Sequence, residues 1–179
     1  ECRDLNCDLL KLAGFNQVIS EPVIRESDQN GENGLRADWG VRGFWFPQRQ
    51  ALFDVSIINA DSPSLRHLSL DALFEDRRNT KRRTYSEAAE ARRASFTPFL
   101  ATCDAVLDKE AEGYLKRLAC HLSEKWEAPF STTIGWLRAR IQIGILRSIS
   151  LCFRGCRTKW RGSGIEDSSA MGNMEIERS

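Results

Sequence analysis

Histidine, methionine and tyrosine are scarce in this 179-residue chain, which holds two of each, and the scarcity narrows the chemistry open to it. His67 and His121 stand far apart in unlike surroundings. Neither comes with a serine or cysteine motif, so a hydrolytic triad has no support. The glycine loops GxGxxG and GxxxxGK are absent, which removes the usual cradles for nucleotide phosphates. No two of the six cysteines (2, 7, 103, 120, 152 and 156) have CxxC spacing. A zinc site normally shows such paired ligands, so reduced thiols serving as small hydrophobes are expected instead. No apolar run is long enough to cross a bilayer, because the best candidate, 134–153, is interrupted by Arg138, Arg140 and Arg147. The opening ECRDLNCDLLK has neither the basic start nor the apolar stretch of a secretory signal and begins without methionine. The expectation is an intracellular fragment of a longer protein, with no membrane partner.

The remaining composition is that of one ordinary globular domain with a full core. A net charge of +1 conceals an asymmetry. Residues 1–34 carry seven acids against Arg3, Lys11 and Arg25. Residues 128–165 carry seven bases and no acid: Arg138, Arg140, Arg147, Arg154, Arg157, Lys159 and Arg161. A one-signed basic stretch suits a nucleic-acid or phosphate partner, and equally suits a solvated helix face.

Periodicity predicts an α/β order. Cys2, Leu5, Leu9 and Leu12 recur at helical spacing before Gly14, and 15–24 is rich in β-branched residues. A turn-rich loop at 27–34 leads to two strand-like runs, 35–46 and 51–59, joined as an antiparallel hairpin. A long polar helix is expected over 65–93, a strand over 95–102, an amphipathic helix over 108–126, and a last helix from Ser131/Thr132 to before Gly155. The order is helix, three strands, helix, strand, then two helices, with 162–179 a loose tail.

The second hairpin strand, ALFDVSIIN, is apolar at nearly every position except Asp54 and Ser56. Such a strand is covered on both faces, so a carboxylate at its centre needs a partner: a bound cation or a buried arginine. Asp38 lies on the neighbouring strand. Two aspartates on adjacent strands supply hard oxygen ligands suited to Mg²⁺ held against a phosphate. Alternation puts position 56 on the Asp54 face, where a lysine would reach that phosphate, and a serine stands there. The aromatic run Phe44, Trp45 and Phe46 reads as core, with base stacking as the other possibility.

The blocks RADWGVRGFW, ALFDVSIIN, SFTPFLAT, YLKRLACHLSEKWEAPFSTTIGWLRARI and LRSISLCFRG occur in order over about 9–161. Together they resemble the restriction-enzyme-like endonuclease domain at the C-terminal end of reverse-transcriptase-bearing non-LTR retrotransposon proteins. The resemblance implies a PD-(D/E)XK-like core over 1–161 (helix, three strands, helix, strand) followed by two C-terminal helices. It also implies Mg²⁺-dependent nicking of DNA in the nucleus, with RNA a further partner through the parent polyprotein. Asp38 matches the first acid and Asp54 the second. Lys81 and Tyr85 in KRRTY match a lysine-and-tyrosine motif on the following helix, so Lys81, in preference to Arg78 or Arg82, is the expected cation. Glu21 in SEPVI matches a Glu-Pro before the first acid, as a third metal ligand or a structural residue. Ala37 stands where the family has proline, and Ser56 where it has lysine. Alternatives on the same fold are a non-catalytic nucleic-acid-binding module and a structural relic.

Overall fold

The structure, a computed structural model, describes residues 1–27 and 34–157, with 155–157 described by backbone alone. The expected 162–179 tail, the domain end at 161, Lys159, Arg161 and the side chain of Arg157 therefore lie outside the described residues.

The chain is mixed α/β. Helix α1 (Cys2–Leu12) precedes four short strands, β1 (Val18–Ser20), β2 (Val23–Arg25), β3 (Leu35–Arg36) and β4 (Trp39–Arg42). The long strand β5 (Gln50–Ile58), helix α2 (Leu70–Ala91), strand β6 (Ser95–Thr102), and helices α3 (Lys109–Trp126) and α4 (Phe130–Arg157) follow. One sheet has the order β1-β4-β5-β6, and β2-β3 form a separate pair. Strands β4 and β5 are antiparallel, whereas β5 and β6 run parallel, joined by α2 as a crossover helix.

Three details differ from the sequence expectation. The single strand expected over 15–24 is two, because Glu21 has a φ of 51° and Pro22 has no amide proton, so the chain leaves the first sheet there. The run expected over 35–46 likewise divides at Ala37–Asp38 and ends at Arg42, so five strands, not three, precede α2. Residues 60–68 form turns, and α2 begins only where the Ser69 hydroxyl accepts the Ala72 amide.

Strand alternation assigns the faces of β5. Phe53, with Trp39, Phe99 and Ala101, packs into the main core with Leu9 and Leu10 of α1, Leu115 and Leu118 of α3, and Ile141 of α4. Leu52 and Ile58 face the other way, toward α2 and the β2-β3 flap. The sheet therefore has α1, α3 and α4 on one side and α2 with the flap on the other. Close approach of α1 to α4 depends on Gly144, where a Cβ would lie 2.5 Å from Leu5 Cδ2. Of the aromatic run, Phe44 is fully buried in the main core and Trp45 donates to Thr97 Oγ1 at 3.0 Å, while Phe46 is exposed.

Helix α2 lacks a clean apolar stripe because its inward row mixes chemistries: Phe74, Arg78, Lys81, Tyr85 and Ala89. Arg78 forms a buried ion pair with Asp108, the N-cap of α3, tying the crossover helix to the helix after β6. Removing one member of such a pair strands a buried charge. Asp108→Ala is expected to lower stability by about 3–5 kcal/mol, read by urea denaturation, and the double variant with Arg78→Met to recover much of that loss. A single variant unfolding at the wild-type midpoint would contradict this.

Candidate functional site

Residues Trp39 and Phe53, Gly40 and Leu52, and Val41 and Ala51 are cross-strand partners. Asp38 is the residue before this paired stretch, at the end of the sheet, where its charge is felt by Asp54 and Lys81 on one side and by Arg3 on the other. The Asp38 amide turns out of the ladder register and donates to Phe53 O at 2.9 Å, so the chain bends at this residue. Asp38 Oδ2 in turn accepts the Val55 amide at 2.6 Å, so the Asp38 carboxylate is fixed to the residue after Asp54.

Asp54 is 7% exposed at the centre of β5. Helix α2 meets it with two side chains one turn apart. The Tyr85 hydroxyl donates to Oδ1 at 2.8 Å, and the Lys81 ammonium forms an ion pair with Oδ2. Oδ2 has no hydrogen bond of normal geometry, so the lysine charge is its compensation. Tyr85 is held by stacking on Phe96 of β6, with centroids 4.6 Å apart and planes 7° apart, and the Lys81 ammonium lies 5.7 Å from the Tyr85 ring centroid. Strands β5 and β6 and one face of α2 thus fix every member of the group.

The electrostatics match this crowding. Burial raises the Asp38 carboxyl above the ordinary carboxylate value, and the Asp54 charge adds to the rise; the Val55 hydrogen bond and the Lys81 and Arg3 charges oppose it. Burial, then the hydrogen bond to Asp54 and the charges of Asp54 and Asp38, push the Tyr85 phenol well up, so Tyr85 remains a protonated donor.

The structure thus brings together Asp38, Asp54, Lys81 and Tyr85. Arg78 and Arg82, the other bases considered on α2, are engaged by Asp108 and Glu110. Glu21 is a backbone neighbour, its amide donating to Asp38 O at 2.9 Å, but its exposed carboxylate pairs with Arg3. Among the described residues, no three carboxylate, histidine or cysteine side chains cluster as metal ligands. In the basic stretch, Arg138 reaches Glu112 at 3.5 Å, Arg147 reaches Glu1 at 3.8 Å, and Arg140 packs over Trp136. Sequence reading gave no sign of the Val55 amide that holds Asp38, because a side-chain bond to backbone carries no residue signature. Arg3, whose charge reaches Asp38, was masked by the acidic surroundings of α1.

No family model and no curated protein matches the chain.

A buried acid with a raised pKa predicts a direction for stability. In the fold Asp38 holds its proton more tightly than in the unfolded chain, so its ionisation at neutral pH costs native stability, and the cost disappears as pH falls through the folded value. Asp38→Asn keeps an acceptor for the Val55 amide and removes the charge. In chelator, the variant is expected to melt above wild type at neutral pH, with the gap closing on acidification. A variant that melts lower at neutral pH would overturn this account.

Proposed function

We propose that this domain is a Mg²⁺-dependent DNA endonuclease, a PD-(D/E)XK-type nicking domain from the end of a retroelement polyprotein acting on nuclear DNA. The observation carrying the proposal is the anchoring of Asp38 to the residue after Asp54, with Lys81 and Tyr85 brought onto Asp54 by the crossover helix.

The donor set suits a hard cation. Mg²⁺ is typically held by one or two carboxylates, with water and substrate phosphate oxygens completing its shell. The buried Asp54 Oδ2, which lacks a well-formed hydrogen bond, and the Asp38 carboxylate are the oxygens this chain offers. Mg²⁺ held there would neutralise phosphate charge and acidify water. The chain's own residues do the positioning. The Val55 amide orients Asp38, and Tyr85, kept protonated, orients Asp54 through the oxygen that Lys81 does not pair with. The Lys81 ammonium, paired with Asp54 Oδ2, is the cation beside the acids and would stabilise charge developing on a phosphate there. It replaces the lysine missing at Ser56, on the same sheet face. Glu21, paired with Arg3, stays outside this set unless that pair opens.

A second reading is favoured by one observation: both oxygens of Asp54 already have internal partners, as expected of a purely structural acid in a non-catalytic DNA-binding module. Nicking of supercoiled plasmid separates the two readings. Asp54→Asn is expected to abolish Mg²⁺-dependent nicking. Lys81→Ala is expected to slow it by on the order of 100-fold, corresponding to about 3 kcal/mol of lost charge stabilisation, and Ser56→Lys to restore part of that loss. Nicking by Asp54→Asn at the wild-type rate, or none by the wild-type protein with Mg²⁺, refutes the endonuclease reading.

A further inference from the structure

A second charged surface lies on the α2 side of the same sheet, four residues along the strands from the acid pair. Arg42 of β4 is the register partner of Gln50 of β5, and its amide donates to Gln17 O at the start of β1. Arg42 therefore shares a sheet face with Gly40, which lies against Gln50 and Leu52, and Gln50 shares one with Asp54, at a separation of about 13 Å. Arg92 and Arg93, just past the C-terminus of α2, close over this end. With Gln17, Gln48 and Gln50, the three arginines line a concavity of ≈ 290 Å³ that contains no carboxylate.

We propose that this concavity is a phosphate-binding groove that grips the sugar–phosphate backbone of a nucleic acid. The proposal shares the nucleic-acid partner of the function proposed above and is independent of cleavage. Three features support it. First, the guanidinium groups are uncompensated: among the described residues none of Arg42, Arg92 and Arg93 forms an ion pair. Second, two of the three are held in place by backbone carbonyls. Arg42 Nε donates to Gln48 O at 3.1 Å, and Arg92 donates to Val23 O, which leaves their remaining N–H groups available. Rigid guanidinium forks beside glutamine amides are the donors that phosphate oxygens recruit. Third, the groove is small and open, at the bottom of the size range for sites that engulf a small molecule, so it suits a backbone lying across it.

The groove is separate from the acid pair. Leu52, Ile24, Ala37 and Ala89 form a small core between them, roofed by the flap of β2 and β3. A span of about 13 Å equals roughly four base-pair steps of duplex, so one bound duplex can meet both. Helix α4 is the weaker candidate, since Arg138 and Arg147 are already paired with Glu112 and Glu1.

The test is fluorescence anisotropy with a labelled duplex of arbitrary sequence, in chelator, over a series of salt concentrations. Wild type is expected to bind this duplex at low salt, with affinity that falls steeply as salt rises. The triple variant Arg42→Gln, Arg92→Gln, Arg93→Gln is expected to lose at least about tenfold in affinity at low salt. Its slope of log K against log salt should be shallower by about 2 to 3, each lost phosphate contact being worth about 0.9. Arg93→Gln alone, at a side chain with no hydrogen bond among the described residues, should reduce the slope by about 1 with an unchanged melting temperature. Wild-type affinity and slope in the triple variant, no duplex binding by wild type at low salt, or equally tight binding of poly-glutamate overturns the groove. Loss of binding confined to Arg140→Gln and Arg154→Gln overturns it as well and assigns the contact to α4. If the groove variants lose binding while wild type never nicks, the groove stands and the endonuclease reading falls.

Discussion

A carboxylate at the centre of a strand buried on both faces has to be compensated, and in this molecule that requirement organises one side of the sheet. Asp54 cannot be solvated where it sits, so helix α2 must present a cation and a hydroxyl to it. Meeting both needs fixes the rotation of α2 about its axis and its position along the strands. The rest of the inward row follows from that setting: Phe74 falls on Ile58 and Leu100, Arg78 on Asp108, and Ala89 on Leu52. An apolar helix face tolerates sliding, because hydrophobic contact is non-directional. A row with two directional polar contacts does not.

Much of this was legible in the sequence. The apolar run with a lone Asp announced β5 and its burial, and alternation put positions 54 and 56 on one face. Strand β6 was bounded correctly at 95–102, and the helix expected over 108–126 is α3, with Asp108 as its N-cap. What escaped was decided by single backbone angles and by distant segments. The positive φ of Glu21 splits one expected strand into two and creates the flap, and nothing in a window of β-branched residues reveals that. The basic stretch of 128–165 looked unopposed because its acids come from elsewhere, Glu1 at the chain start and Glu112 on the preceding helix. Conversely, the uncompensated arginines at the far end of the sheet are drawn from β4 and the end of α2, so no local run of charge marks them.

The two charged zones also differ in how tightly they are built. The acids and their cation are part-buried, interlocked by hydrogen bonds, and backed by the Tyr85–Phe96 stack. The arginines are anchored at one end to carbonyls and open at the other. The first zone is therefore fixed in geometry by its own contacts, whereas the second keeps guanidinium groups exposed to solvent.

The crossover connection between β5 and β6 sets an order of assembly. The bond from Val55 to the Asp38 carboxylate spans 17 residues and closes within the β4–β5 hairpin, whereas that from Tyr85 to Asp54 spans 31 and requires the parallel partner strand to be in place. Local antiparallel pairing forms ahead of a parallel crossover. On that ordering the Asp38 carboxylate is anchored within the hairpin before α2 brings Lys81 and Tyr85 to Asp54, so the buried acid gains its compensation only when the crossover closes.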